Sequence, residues 1–270
     1  MSSATLVEIL RRDRAAVIAA LVSLTAVAWA YVIWLTQNMD MGGAMSMPDM
    51  PSMGAMAPAL TPWTPADFVF VFLMWSIMMI GMMTPSAAPM ILIYARVGRQ
   101  AAEQGRPLAA VGWFAAGYLL AWIGFSILAT LAQWALTRAA LITPMMTSAS
   151  AILGGQILIT AGIYQWTPLK EVCLRHCQSP LTFIQQHGGF RRDIAGSLRV
   201  GLRHGLFCIG CCWALMVLLF VGGVMNVLWI AGLTIFVLIE KVVPAGRLIS
   251  RSAGIAFIIW GGWLLARQML

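Results

Sequence analysis

The chain has 270 residues, of which 61% are hydrophobic and 10% charged, and it carries a formal net charge of +8. Soluble domains carry about 25% charged residues, so the composition excludes an ordinary soluble fold and points to a chain solvated by lipid. The positive charge does not call for nucleic acid, because it is distributed in short stretches between apolar runs.

Taken in chain order, the apolar runs read as spans over residues 15–36, 66–94, 109–136, 147–165, 205–222, 225–243 and 252–267. Each is close to the ~20 residues that cross a bilayer as a helix. The expected fold class is therefore an all-α integral membrane bundle of about seven transmembrane helices, with the N-terminus cytoplasmic. The first run exceeds the roughly 7–15 residues of a signal-peptide core, so residues 1–37 are expected to form an uncleaved anchor helix. Residues 38–62 then read as a Met-rich external tether. Residues 63–270 read as a six-helix membrane domain with a cytoplasmic Cys/His loop at 166–204.

The basic residues set the expected orientation. With the N-terminus inside, Arg11, Arg12, Arg14, Arg96, Arg99, Arg106, Lys170, Arg175, Arg191, Arg192, Arg199, Arg203, Lys241, Arg247 and Arg251 share one side. Of the 17 Lys and Arg, that leaves Arg138 and Arg267 outside. The expected location is a bacterial inner membrane, multi-pass, with an external C-terminus. No carboxylate stands mid-span, which argues against a proton relay.

Along the tether and the second span, methionine dominates. The tether "NMDMGGAMSMPDMPSMGAMAP" holds Met39, Met41, Met45 and Met47 among others, in a segment too rich in Gly, Pro and Ser to form a core. Thioethers are soft, uncharged donors that select Cu(I) over zinc. In "MWSIMMIGMMTPSAAPM", Met74, Met78 and Met82 fall one helical turn apart on one stripe. Such a stripe commonly packs a core, but here it begins next to the tether, so these seven methionines form a candidate metal pathway. Pro85 and Pro89 interrupt the same helix, freeing carbonyls that are tolerated where they line protein or a cavity.

All five cysteines and all three histidines fall between residues 173 and 212. A reducing cytoplasm disfavours structural disulfides, so metal or redox chemistry is expected there. His204, Cys208 and Cys212 follow an i, i+4, i+8 helical stripe, with Cys211 on the same face. "KEVCLRHCQSP" supplies Cys173, His176 and Cys177. These seven residues are the candidate metal ligands, with Cu(I) the expected ion and zinc the alternative. His187, in a "QQHGG" stretch, reads as a solvated residue.

The stretches "MMIGMMTPSAAPMILIYAR", "YQWTPLKEVCLRHCQSP", "GLRHGLFCIGCCWALM" and "FVGGVMNVLWIAGLTIFVLIEKVVP" resemble the predicted metal-binding integral membrane proteins of bacteria, a family of unknown function. The resemblance covers residues 66–265 and implies metal binding at the Cys and His motifs. It also draws attention to Glu240, a candidate oxygen ligand or neighbour of the ligands; a Glu240–Lys241 pair at the headgroups is the competing reading.

The expected function is Cu(I) handling, by capture, transfer or transport, from the external Met-rich segment to the cytoplasmic Cys/His site, without catalysis. The expected partners are the lipid bilayer and a metal carrier or metalloenzyme, with no nucleic acid. Two alternatives compete. One is a membrane thiol-redox protein built on "CIGC" at 208–211; the other is an accessory subunit of a membrane complex with a structural zinc site.

Overall fold

The computed structural model describes residues 3–44, 63–105, 108–142, 150–187 and 189–269, with backbone alone in residues 3–14, 39–44 and 269. Its regular structure is helical. The segments are α1 (Ser3–Ala44), α2 (Pro65–Glu103), α3 (Val111–Arg138), α4 (Ala151–Tyr164), α5 (Pro168–Gln178), α6 (Pro180–Gln186), α7 (Ile194–Val217), α8 (Leu219–Gly222), α9 (Val227–Val242) and α10 (Gly246–Met269).

Local chemistry explains where several of them begin. Thr64 and Asp67 form a capping box ahead of Pro65, which needs no N–H at the first helical position. Thr167 caps α5 in the same way before Pro168. Asp193 accepts from Gly196 N to start α7, and Asn226 accepts from Trp229 N to start α9.

Among the described residues, five helical stretches are long and apolar enough to cross a membrane: Ala15–Asn38, Pro65–Glu103, Val111–Arg138, Ile194–Gly222 and Gly246–Gln268. The all-helical class expected from sequence is observed, but the seven-span count is not reproduced at full length. The fourth and sixth expected spans are α4 and α9, of 14 and 16 residues. At 1.5 Å per residue they extend about 21 and 24 Å, short of a hydrocarbon layer of roughly 30 Å.

Helix pairs pack in both directions. Against α3, α2 runs antiparallel: Trp75 Nε1 donates to Gln133 Oε1 at 2.6 Å, and Tyr94 stacks on Phe114 at 4.8 Å. The α4–α10 pair is also antiparallel and crosses on glycine. A Cβ on Gly155 would meet Gly261 O at 2.9 Å, and one on Gly162 would meet Gly254 O at 2.7 Å. By contrast α3 and α7 run parallel. There Gly201 lies so close to the Phe114 carbonyl that no Cβ fits, and Gly205 packs on Tyr118 and Ala121. The Gly201-x-x-x-Gly205 spacing, small residues one turn apart, is what lets two helices approach this closely in an apolar medium.

The core gathers Trp75, Trp122, Tyr94, Tyr118 and Phe114 with Met74, Met78, Met79, Met82 and Met83. Large apolar side chains also cover the outside: Val27 is 68% exposed, Leu228 85% and Leu248 70%. A surface this apolar is solvated by lipid or by a partner, not by water.

Candidate metal centre

The segment expected as a loop at 166–204 is helical for most of its length, and this changes how the cysteines are held. It contains α5, α6 and the first turns of α7, which begins at Ile194 rather than at the expected 205. Cys208, Cys211 and Cys212 therefore lie well inside a helix instead of at its start. The missed signals were Thr-Pro at 167–168 and Asp193, both good helix caps.

Against α7, α5 packs at a glycine. A Cβ at Gly210 would fall 2.7 Å from Cys173 Sγ, so the missing side chain is what admits Cys173. The Tyr164 hydroxyl donates to Gly210 O, fixing the end of α4 to the same point. One turn on, Cys177 Sγ lies 3.9 Å from Cys211 Sγ. Two sulfurs bonded at about 2.3 Å to one ion at a tetrahedral angle lie roughly 3.8 Å apart, so this pair matches the bite of a single soft metal ion.

The Cys211 and Cys212 thiols both donate to Cys208 O, at 3.0 and 2.8 Å. Cys208 Sγ is within hydrogen-bonding reach of the Cys177, Cys211 and Cys212 thiols and also meets groups from other helices. It accepts from Lys241 Nζ at 2.8 Å and lies 3.1 Å from the Tyr118 hydroxyl. Lys241 also donates to Ser86 Oγ at 3.1 Å, and the Tyr118 hydroxyl donates to Met83 O at 3.1 Å. Four helices thus converge on one thiol: α2, α3, α7 and α9.

His204 is buried one turn before Cys208, and its Nδ1 has no hydrogen-bond partner among the described residues. Its ring faces those of Tyr118 at 5.6 Å and Phe183 at 5.2 Å. His176 stacks on Phe207 at 4.3 Å while its Nδ1 is 2.8 Å from Val172 O, leaving Nε2 outward. His187 is not isolated in solvent; it stacks on Phe183 at 4.4 Å and sits 5.6 Å from His176. On α5, burial pushes the Cys173 thiol up from its ordinary value, and hydrogen bonding to Cys208 and Cys211 pushes Cys177 up further.

Of the seven expected ligands, the structure brings Cys177, Cys208, Cys211 and Cys212 into side-chain contact, with the Cys177 and Cys211 sulfurs 3.9 Å apart. No group of three or more His, Cys, Asp or Glu side chains among the described residues is gathered closely enough to hold an ion. The sulfur pair alone falls short of the four ligands that a structural zinc takes.

Glu240 is fully buried, but it pairs with Lys170 at 2.6 Å rather than with Lys241. That pair ties α5 to α9, reinforced by Gln178 Nε2 donating to Glu240 O at 2.9 Å. Lys170, Lys241, Tyr118 and Ser86 were not read as site residues from sequence. The adjacent Glu240-Lys241 dipeptide at the end of an apolar run was the one visible signal. Met74, Met78 and Met82 are buried in the core. Met39 and Met41 fall in the last turns of α1, where only backbone is described, and Met45 and Met47 lie outside the described residues.

The fold and the site define an all-helical protein whose apolar interior holds a close set of thiols with a lysine and a tyrosine aimed at one of them. A family model described as copper chaperone, PpoB2, matches residues 72–264, more than two thirds of the chain. The chain belongs to this copper chaperone family. No curated protein and no solved structure matches it.

Proposed function

We propose that the chain is a membrane-embedded chaperone for Cu(I), which it holds between α5 and α7 and hands on by exchange of thiolate ligands. The observation that carries this reading is the Cys177–Cys211 sulfur pair at 3.9 Å, formed by two separate helices in a chain of the copper chaperone family. Thiolates select Cu(I) among the ions available. Cys208, Cys212, Cys173, His176 and His204 lie on the same two helices and are the reserve of ligands for a third bond or for the hand-over.

The exposed apolar faces of α1 and α10 support insertion in a bacterial inner membrane, and the placement of basic residues supports a cytoplasmic N-terminus. In that orientation copper arrives through Met39, Met41, Met45 and Met47 and passes Met74, Met78 and Met82 before reaching the thiols. Affinity rises along this route, because thiolates hold Cu(I) more tightly than thioethers.

The test is copper per chain on full-length protein purified anaerobically in detergent, loaded with Cu(I) and dialysed. The wild type is expected to retain about one copper, a stoichiometry set by a single sulfur pair. Cys177→Ser and Cys211→Ser are each expected to lose most of it. Full occupancy in both variants would overturn the site.

A further inference from the structure

Among the described residues, Lys241 is a buried cation with no carboxylate partner. It is 7% exposed, and its contacts are Cys208 Sγ at 2.8 Å and Ser86 Oγ at 3.1 Å. The adjacent Glu240 does not serve it, because that carboxylate is taken by Lys170 at 2.6 Å. The Lys170–Glu240 pair is therefore already neutral, and a positive charge is left pointing at the sulfur cluster. A buried charge of this kind needs an anion beside it, and the thiolate sulfurs are the groups in reach.

We infer that Lys241 is a specificity-determining residue that sets the charge of the ion the thiol cluster accepts, favouring a monovalent soft cation over a divalent one. The physics is direct. An ammonium in contact with Cys208 Sγ stands within a few ångströms of any metal bound to that sulfur, and it interacts electrostatically with Cys177 and Cys211. Its repulsion of a divalent ion is twice that of a monovalent one at the same place. Lys241 acts without entering the coordination sphere; it is a positioning charge and not a ligand.

The inference rests on the copper reading above, and the experiment separates the two. Full-length protein in detergent, kept anaerobic and reduced, is titrated with Cu(I) and separately with Zn(II) in the presence of a competing chelator for each. The quantity read is the ratio of the two apparent affinities. Lys241→Met is expected to shift that ratio toward Zn(II) by about tenfold or more, as removal of one nearby charge requires even under strong screening. Lys241→Gln, which keeps a polar group for Ser86, carries the same expectation should the Met variant fail to accumulate. Lys241→Arg, which keeps the charge, is expected to restore the wild-type ratio. A merely structural lysine would weaken both metals together and leave the ratio unchanged. An unchanged ratio in Lys241→Met or Lys241→Gln, with Cu(I) still bound by the wild type, overturns the inference alone. A wild type that binds no Cu(I) overturns the copper reading and the inference with it.

Discussion

Two sulfur-rich regions occupy the interior, and they are built on opposite principles. In the α5–α7 cluster every cysteine of α7 has a polar contact, and the Tyr118 hydroxyl of α3 and the Lys241 ammonium of α9 are directed at Cys208. In the α2 stripe, Met74, Met78 and Met82 sit among Trp75, Val71 and Phe220 within the apolar core. The polar contacts beside the stripe run elsewhere, from Trp75 to Gln133 and from Thr84 to Ile80 O. The lesson is that sulfur content alone does not mark a binding site. A thiol that can ionise needs counter-charge and donors around it when buried, whereas a thioether needs none.

The comparison breaks most visibly at the buried ion pair beside the cluster. Glu240→Gln leaves the Lys170 ammonium without its carboxylate, and unfolding followed in detergent by denaturant is expected to show a loss of about 3–5 kcal/mol. The Lys170→Met/Glu240→Gln double variant is expected to recover most of that loss. A single variant as stable as wild type would mean the cluster does not depend on charge pairing.

A smaller effect is expected at the contact between α5 and α7. Gly210→Ala places a methyl group against Cys173 Sγ, at 2.7 Å before relaxation. Overpacking of this kind costs about 1–3 kcal/mol, and pushing α5 outward separates Cys177 from Cys211. Copper per chain is expected to fall with only a modest drop in melting temperature. Full copper content would show that α5 can give way without disturbing the sulfur pair.

The stripe should respond differently. Met78→Leu/Met82→Leu is close to volume-conserving, so stability is expected to change by less than about 1.5 kcal/mol. Equilibrium copper content should stay at the wild-type level while loading of vesicle-reconstituted protein from the Met-rich side slows. Unchanged loading rates would reduce the stripe to core packing.

The least effect is expected at Glu171, on the outer face of α5. The Arg175 guanidinium hydrogen-bonded to it, with Arg247 and Arg251 nearby, holds its carboxyl below the ordinary glutamate value. A depressed carboxylate contributes stability above its ordinary range and loses that contribution as pH falls through the depressed value. Exposed pairs of this kind contribute little. Melting temperatures of wild type and Glu171→Gln should differ slightly at neutral pH and converge in acid; a gap that widens in acid would contradict the pairing.

Much of this architecture is legible in the sequence because it depends on neighbours along the chain. Apolar run lengths mark the long helices, Thr-Pro and Asp caps mark where α5 and α7 begin, and the spacing of His204, Cys208 and Cys212 places them on one helical face. The Gly201-x-x-x-Gly205 spacing marks a close helix crossing. These are local properties, fixed by the 3.6-residue turn and by the hydrogen-bonding needs of helix ends.

What tertiary structure alone decided is who meets whom. Periodicity gives a face but not the partner opposite it, so nothing in the spacing selects Cys211 over Cys212 as the neighbour of Cys177. Nor could adjacency reveal that Glu240 and Lys241 point to different partners, one to Lys170 and the other to Cys208. Consecutive residues on a helix diverge by about 100°. The packing of α9 against α5 on one side and α7 on the other turns that divergence into a neutral pair and a free positive charge beside a thiol.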